Sequence, residues 1–130
     1  MHLCRYIPLK RGDKKSISHM MDACRMWLRR GIPVMMFPEG TRSRDGTLLP
    51  FKTGAFALAE ECQVAVIPVV IHGGMSVIPK HGRLFSHSAR LIVEVLEPMR
   101  GTPHESVETF TQRVHTVMST HVEQQRHLAA

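Results

Sequence analysis

The order of helix and strand patterns in this chain of 130 residues predicts an α/β fold, in which helices flank a largely parallel central sheet. Two observations support this prediction. Apolar runs at residues 34–36 and 64–71 lack polar alternation, which is typical of strands covered on both faces. Segments with apolar residues at helical spacing alternate with these runs. The length and the 43% hydrophobic content fit a single domain, residues 1–130, with a modest core.

The first part of the chain predicts a strand, a helix and a second strand. Residues 4–9 are a short strand candidate that leads into a basic run. From Ser16 onward apolar residues recur at helical spacing, and Gly31 follows as a stop signal. The apolar stripe consists of Ile17, Met20, Met21, Cys24, Trp27 and Leu28. Residues 33–37 then predict a buried strand that ends in a turn.

The middle of the chain predicts a long polar connection, a helix and a further strand. Residues 39–50 form the connection, and the pair Asp45-Gly46 marks a tight turn inside it. Thr53 is a candidate N-cap for a helix that ends near Cys62. The apolar run 64–71 predicts the strand that follows this helix.

The last part predicts an irregular loop, a strand and a long helix. Residues 72–88 are rich in Gly, Pro and Ser, and residues 90–96 alternate as a strand does. Thr102 and Glu105 stand in capping-box order and predict the start of the helix. Its apolar stripe consists of Val107, Phe110, Val114, Val117, Met118 and Val122.

The chain is basic, with a formal net charge of +6 and an isoelectric point near 9.8. This positive charge favours an anionic partner. The charge alone is compatible with a nucleic acid, a phospholipid surface or a phosphorylated metabolite. The longest apolar stretch, 64–71, is far shorter than the ~20 residues that cross a bilayer. The N-terminus lacks the apolar segment of a signal peptide, and an anchor upstream of Met1 is compatible with the pattern.

Neither the cysteines nor the histidines predict a metal or a cofactor. Cys4, Cys24 and Cys62 are widely spaced, which indicates reduced core thiols in a cytosolic protein. The nine histidines are scattered, and we expect them at exposed or capping positions. In the last helix they recur every six residues from His115, which spreads them around the helix rather than along one face.

An anion site is predicted where the strand at 33–37 ends. The planar guanidinium of Arg42 can engage two phosphate oxygens at once, and Gly40 lets the backbone approach a ligand closely. Lys52 adds mobile positive charge beside the N-terminus of a predicted helix, a position that favours anions. Arg11 also follows a predicted strand, and it lies near Arg42 if both strands end on the same side of the sheet.

Glu39 is the acidic residue of this basic segment, and two roles fit it. It can orient a guanidinium through a charged hydrogen bond, which we favour, or accept a hydrogen bond from a ligand hydroxyl. A role as general base requires a raised pKa, which cationic neighbours oppose. The competing interpretation of the whole segment is a solvated basic loop, since runs of charge usually are solvated.

Three sequence blocks resemble a known family. Residues 37–43 read Phe-Pro-Glu-Gly-Thr-Arg-Ser, residues 6–13 read Tyr-Ile-Pro-Leu-Lys-Arg-Gly-Asp, and residues 66–71 read Val-Ile-Pro-Val-Val-Ile. These blocks, in this order, resemble the glycerolipid acyltransferases of the 1-acyl-sn-glycerol-3-phosphate acyltransferase type, and the first matches that family's block at all seven positions. The resemblance covers the chain from about residue 4 to about residue 100.

The resemblance implies which residues bind the substrate and which block is missing. In the family, the arginine block and the Glu-Gly-Thr-Arg block are assigned to binding the glycerol-phosphate acceptor. With Lys52 added because of its charge, the expected substrate-binding residues are Arg11, Glu39, Gly40, Thr41, Arg42 and Lys52. The family's catalytic block, a His followed five positions later by an Asp, lies upstream of the arginine block, and no His of this chain has an Asp at that offset. We therefore expect a partial domain with no catalytic residue, whose sheet is incomplete on its N-terminal side and has an uncovered apolar edge.

The activity that the resemblance implies is acyl transfer in phospholipid biosynthesis. The donor would be acyl-CoA or acyl carrier protein, and the acceptor the free hydroxyl of a lysophosphatidate-type lysophospholipid. This chain would supply the acceptor phosphate-binding half and would be inactive alone. The expected location is the cytoplasmic side of the cell membrane, at the membrane surface or anchored through an upstream segment.

The basic residues also raise two function classes other than acyl transfer. A non-catalytic basic module that binds anionic membrane surfaces would depend on summed charge and salt rather than on one arginine. Nucleic-acid binding is disfavoured, because the basic residues lack interleaved aromatic residues and match no common reader motif.

Overall fold

The computed structural model describes residues 13–41, 43, 45–74 and 90–129. In chain order its elements are α1 (Lys14–Arg29), α2 (Gly54–Glu61), β1 (Val69–His72), β2 (Ile92–Val95) and α3 (Val107–Ala129). The strand expected at 4–9 and most of the loop expected at 72–88 lie outside the described residues. None of the helices in the described ranges is long and apolar enough to cross a membrane.

The two described strands form an antiparallel ladder, in which Val69 lies opposite Val95 and Ile71 opposite Val93. The expected largely parallel central sheet is therefore not observed in the described part of the chain. An apolar run is typical of a strand that packs against a core, but it does not show the direction in which that strand pairs. The predicted strand 64–71 is also shortened to β1, because Pro68 has no N–H to donate to a ladder.

Helix α1 begins two residues before the expected start at Ser16. The Asp13 side chain caps it by accepting hydrogen bonds from the backbone N–H groups of Lys15 at 2.9 Å and Ser16 at 3.4 Å. Gly31 follows the helix at φ +73°, as expected of a stop residue in the left-handed region. Cys24 is the buried residue of the expected stripe, whereas Ile17 is exposed.

The buried strand predicted at 33–37 is wrong. Residues 32–37 form no strand, and the side chains of Met35 and Phe37 are each 74% exposed. An isolated extended segment has no ladder hydrogen bonds, and within the described ranges no strand pairs with this one. The apolar composition alone therefore does not establish a buried strand, and none is observed for this segment within the described ranges.

Helix α3 begins at Val107, later than the capping-box pattern predicts. Glu105 does bond back to Thr102, whose backbone N–H donates to Glu105 Oε2 at 2.9 Å. The hydroxyl of Ser106 then caps the helix by accepting from the N–H of Thr109 at 3.1 Å. The box pattern therefore forms a turn that precedes the helix.

Helix α3 packs on both α2 and β1, and the core lies where these three elements meet. Phe56 of α2 and Phe110 and Val114 of α3 form the buried cluster, each 2% exposed or less. The rings of Phe56 and Phe110 meet edge to face at 5.7 Å between centroids. The coarse fold class, helices layered on a sheet, is therefore as predicted.

The ladder buries only one of its faces. Val70 points toward α3 and is 4% exposed, whereas its neighbour Ile71 points the other way and is 50% exposed. Val93 and Val95, on the same face as Ile71, are 60% and 66% exposed. One face of the ladder is therefore apolar and exposed, whereas the expected uncovered edge on the N-terminal side of the sheet stays a prediction.

Candidate functional site

Residues 38–41 form the turn in which the sequence predicts an anion site. The N–H of Gly40 donates to the carbonyl of Phe37 at 3.2 Å, and Gly40 itself has φ +69°. Non-glycine residues seldom adopt this left-handed conformation, so the position favours glycine. Thr41, the last residue of the turn, is exposed.

Lys52 crosses back over this turn from twelve positions further along the chain. Its backbone N–H donates to the carbonyl of Pro38 at 2.9 Å. A Cβ atom added at Gly40 would lie 2.9 Å from Nζ and 3.0 Å from Cε of Lys52, so the ammonium lies directly against the glycine. Within the described ranges this ammonium makes no ion pair. Among the described residues, the turn therefore presents an ammonium without an ion-pair partner beside the backbone of Gly40.

The Glu39 side chain folds across the connection that joins the turn to Lys52. Its Oε2 atom accepts a hydrogen bond from the backbone N–H of Leu49 at 2.9 Å. The sequence did not indicate this contact, because ten residues separate the two groups. The predicted contact of Glu39 with a guanidinium involves Arg11, Arg42 or Arg44, which lie outside the described residues.

His115 of α3 holds the other side of Leu49. Its Nε2 atom lies 3.2 Å from the carbonyl oxygen of Leu49, and its ring meets that of Phe51 edge to face at 4.7 Å between centroids. The scattered spacing of the histidines predicts an exposed or capping position for His115, but this residue is half-buried in the contact with the loop. A contact between residues 66 positions apart leaves no periodic signal in the sequence.

Side-chain hydrogen bonds to Asp45 stabilise the connection that leads from the turn to Leu49. The Asp45 carboxylate accepts hydrogen bonds from the hydroxyl of Thr47 at 2.7 Å, from its N–H at 3.1 Å and from the hydroxyl of Ser43 at 2.9 Å. These hydrogen bonds, chiefly the one from the Thr47 hydroxyl, lower the pKa of Asp45 to about 2. Gly46 has φ +78°, so the tight turn predicted at this pair is confirmed.

The structure thus brings together three of the six predicted binding residues, Glu39, Gly40 and Lys52, and places Thr41 beside them. Arg11 and Arg42 lie outside the described residues, and their roles stay predictions. An open groove of about 400 Å³ at the N-terminal end of α3 is lined by residues such as Glu60, Arg100 and Thr102, and none of the six lines it.

A second polar cluster joins α3 to the ladder. Glu94 of β2 lies between two imidazoles, with Oε2 at 3.1 Å from Nε2 of His72 and Oε1 at 2.8 Å from Nδ1 of His121. These contacts, the one with His72 first, lower the pKa of Glu94. Across the described ranges no group of three or more His, Cys, Asp or Glu side chains is arranged to hold a metal ion.

Comparisons with known proteins agree with the sequence blocks. The family model described as "Acyltransferase" matches residues 1–72. The chain is 41% identical over 95 residues to 1-acyl-sn-glycerol-3-phosphate acyltransferase alpha of Mus musculus, covering 72% of this chain and 33% of that protein. It is 35% identical over 102 residues to the chloroplastic 1-acyl-sn-glycerol-3-phosphate acyltransferase LPAT1 of Arabidopsis thaliana, covering 78% and 29%.

A solved structure shows the same fold. The crystal structure of the 1-acyl-sn-glycerophosphate acyltransferase PlsC from Thermotoga maritima superposes with a TM-score of 0.75 and 31% identity. The superposition covers 82% of this chain and 44% of the Thermotoga chain. The chain therefore spans about a third of the two curated relatives and less than half of the solved one. Since the family model matches more than half of its residues, the chain belongs to the acyltransferase family, and the relatives that it matches are 1-acyl-sn-glycerol-3-phosphate acyltransferases.

Proposed function

We propose that this chain binds the phosphate of the acceptor in an enzyme that acylates lysophosphatidate-type lipids. The acyl group would come from acyl-CoA or acyl carrier protein and would form an ester with the acceptor's free hydroxyl. The relatives, which are 1-acyl-sn-glycerol-3-phosphate acyltransferases, support the acceptor class, and the turn at residues 38–41 supports the role of this part of the domain.

The observation that carries the proposal is the position of the Lys52 ammonium against Gly40. A lysine ammonium is a compact charge with three donors, and it binds phosphate as a point charge. At Gly40 no side chain stands between this charge and the backbone, so a phosphate oxygen can reach the ammonium and the turn at the same time.

The start of α2 adds to the positive potential at this place. Lys52 immediately precedes Thr53, the N-cap of α2, and the Thr53 side chain makes no capping hydrogen bond. The N–H groups of a first helical turn carry partial positive charge and favour anions. A phosphate at the Gly40 turn would therefore meet an ammonium next to a helix N-terminus, and Arg42 would add its guanidinium fork.

Within this mechanism the chain positions the acceptor and does not perform the proton transfer. Binding of the phosphate fixes the position of the acceptor's hydroxyl. When a base and a thioester are also in place, this lowers the entropic part of the activation barrier. In the resembled family the base is a His in the upstream catalytic block, which takes the hydroxyl proton as the oxygen attacks the thioester carbon. We propose that the 130-residue chain alone transfers no acyl group and that the enzyme works at the cytoplasmic face of the membrane.

Titration of the chain with sn-glycerol 3-phosphate, followed by calorimetry, tests the proposal. Lys52→Met is expected to weaken binding about two- to fivefold, because an exposed ion pair contributes roughly 0.5–1 kcal/mol. Arg42→Ala is expected to weaken it about ten- to a hundredfold, the range for a charged hydrogen bond of ~1.5–3 kcal/mol.

Lys15→Met is the matched control, since Lys15 is an exposed lysine in the first turn of α1. It removes the same charge, and we expect it to leave the affinity unchanged. Equal losses for Lys15→Met and Lys52→Met would show that summed charge binds the anion, as in a basic module for membrane surfaces, and would reject the site.

A further inference from the structure

Residues 38–41, which we call the anion turn, are linked to helix α3 through contacts of His115. Residues 49–52 run between the turn at residues 38–41 and helix α3, and two of their backbone groups bond to the turn. The N–H of Leu49 donates to Glu39 Oε2 at 2.9 Å, and the N–H of Lys52 donates to the carbonyl of Pro38 at 2.9 Å. The position of the Lys52 ammonium therefore depends on where segment 49–52 lies.

His115 fixes that segment from the opposite side. Its Nε2 atom lies 3.2 Å from the carbonyl oxygen of Leu49, which can only accept, so Nε2 carries the proton and donates. The edge-to-face contact of its ring with Phe51, at 4.7 Å, holds the residue that precedes Lys52. Leu49 is thus held through its N–H by Glu39 and through its C=O by His115.

His115 is itself held in place. The hydroxyl of Ser119, one helical turn later, lies 3.4 Å from Nδ1 of His115 and can donate to it when Nε2 carries the proton. The Phe51 ring also stacks on Phe56 at 6.1 Å between centroids, and Phe56 belongs to the buried core. The contacts therefore form one chain from the core, through His115 and Phe51, to Lys52.

We propose that His115 is a positioning residue for the anion site: it fixes Leu49 and Phe51, and so holds Lys52 against Gly40. This rests on the proposed function only for the identity of the anion. His115 touches no ligand in this arrangement. It acts through the backbone of segment 49–52, and its loss frees that segment without changing the charge at the turn.

The test compares three variants of the full chain. His115→Leu fills similar space but donates no hydrogen bond, whereas His115→Gln keeps an N–H donor near the position of Nε2. His121→Leu is the matched control, because His121 lies on the same helix but contacts Glu94 of β2. Amide hydrogen exchange by NMR reports the N–H groups of Leu49 and Lys52, with Phe56 as a core reference. Calorimetry with sn-glycerol 3-phosphate reports the site.

We expect His115→Leu to speed exchange at Leu49 and Lys52 about two- to tenfold, the range for one lost hydrogen bond. Exchange at Phe56 should stay unchanged, and the affinity for glycerol 3-phosphate should fall about two- to fivefold. His115→Gln should restore both quantities, and His121→Leu should alter neither.

Unchanged exchange at Leu49 and Lys52 in His115→Leu, or an equal effect of His121→Leu, would overturn the positioning role. If His115→Leu lowers the protection of Phe56 as well, amide exchange in His115→Gln decides. Protection restored at Leu49 in His115→Gln supports the positioning role. Protection that stays lost at Leu49 while Phe56 is protected overturns it. Failure of the wild-type chain to bind glycerol 3-phosphate would instead reject the proposed function, while the exchange rates would still decide the role of His115.

Discussion

Replacing Gly40 by alanine separates the geometry of the anion turn from its charge. Gly40 and Gly31 have nearly the same φ angle, +69° and +73°, in the left-handed range. An alanine in this left-handed region costs about 1 kcal/mol at either position. The surroundings differ, because an added Cβ at Gly31 meets nothing within 4 Å, whereas at Gly40 it would lie 2.9 Å from Lys52 Nζ. The ammonium ends a flexible side chain, so it can move aside at small further cost.

Gly40→Ala and Gly31→Ala should therefore lower the free energy of unfolding by similar amounts, about 1 kcal/mol each, in urea denaturation followed by circular dichroism. Only Gly40→Ala displaces the ammonium from the turn. Its affinity for sn-glycerol 3-phosphate should fall about two- to fivefold, as for removal of an exposed ion pair, and Gly31→Ala should bind like the wild type. Wild-type affinity in Gly40→Ala, at the expected loss of stability, would refute the contact between the Lys52 ammonium and a ligand at Gly40.

Three further outcomes are expected. Phe110→Ala removes a ring that is 1% exposed and should lower the free energy of unfolding by roughly 3–5 kcal/mol. Urea denaturation measures this loss, and a loss below about 1 kcal/mol would contradict the expectation. Hydrogen bonds, chiefly that from Arg113, lower the pKa of Glu105 to about 2, so the folded state gains stability from this carboxylate above pH ~4.3 and loses it as the pH falls toward 2. The difference in melting temperature between wild type and Glu105→Gln should accordingly shrink between pH 5 and pH 2, and a difference independent of pH would exclude this linkage. In a thiol-release assay, the 130-residue chain should not release CoA from acyl-CoA in the presence of lysophosphatidate. Any turnover above the buffer blank would disprove the proposal that this chain binds the acceptor without performing the acyl transfer.

Local signals predicted the helices well because the residues that define them are close in the sequence. The stop at Gly31 follows from its positive φ, and the stripe through Phe110 and Val114 identifies the buried side of α3. The tight turn at Asp45 formed because the side chain of that residue bonds to neighbours within two positions. The stop and the tight turn depend on neighbours within one turn or loop, and the apolar stripe depends on residue spacing within one helix.

The pairing of strands and the support of the site could not be predicted from local patterns. The antiparallel ladder joins Val69 to Val95, and the apolar runs alone are equally compatible with parallel neighbours. His115 reaches Leu49 across 66 positions, so only the packed structure reveals that the two meet. For the proposed site, composition and the sequence blocks predicted Glu39, Gly40 and Lys52 as binding residues, and the fold supplied the distance between the last two.

An NMR titration of the ¹⁵N-labelled chain with sn-glycerol 3-phosphate, against glycerol as the uncharged control, tests the proposed phosphate site most directly. The amide signals of residues 39–42 and of Lys52 should shift together and saturate with glycerol 3-phosphate, and they should stay in place with glycerol. Shifts confined to other basic stretches, such as the last turn of α1, or equal shifts with glycerol, would contradict a phosphate site at the Gly40 turn.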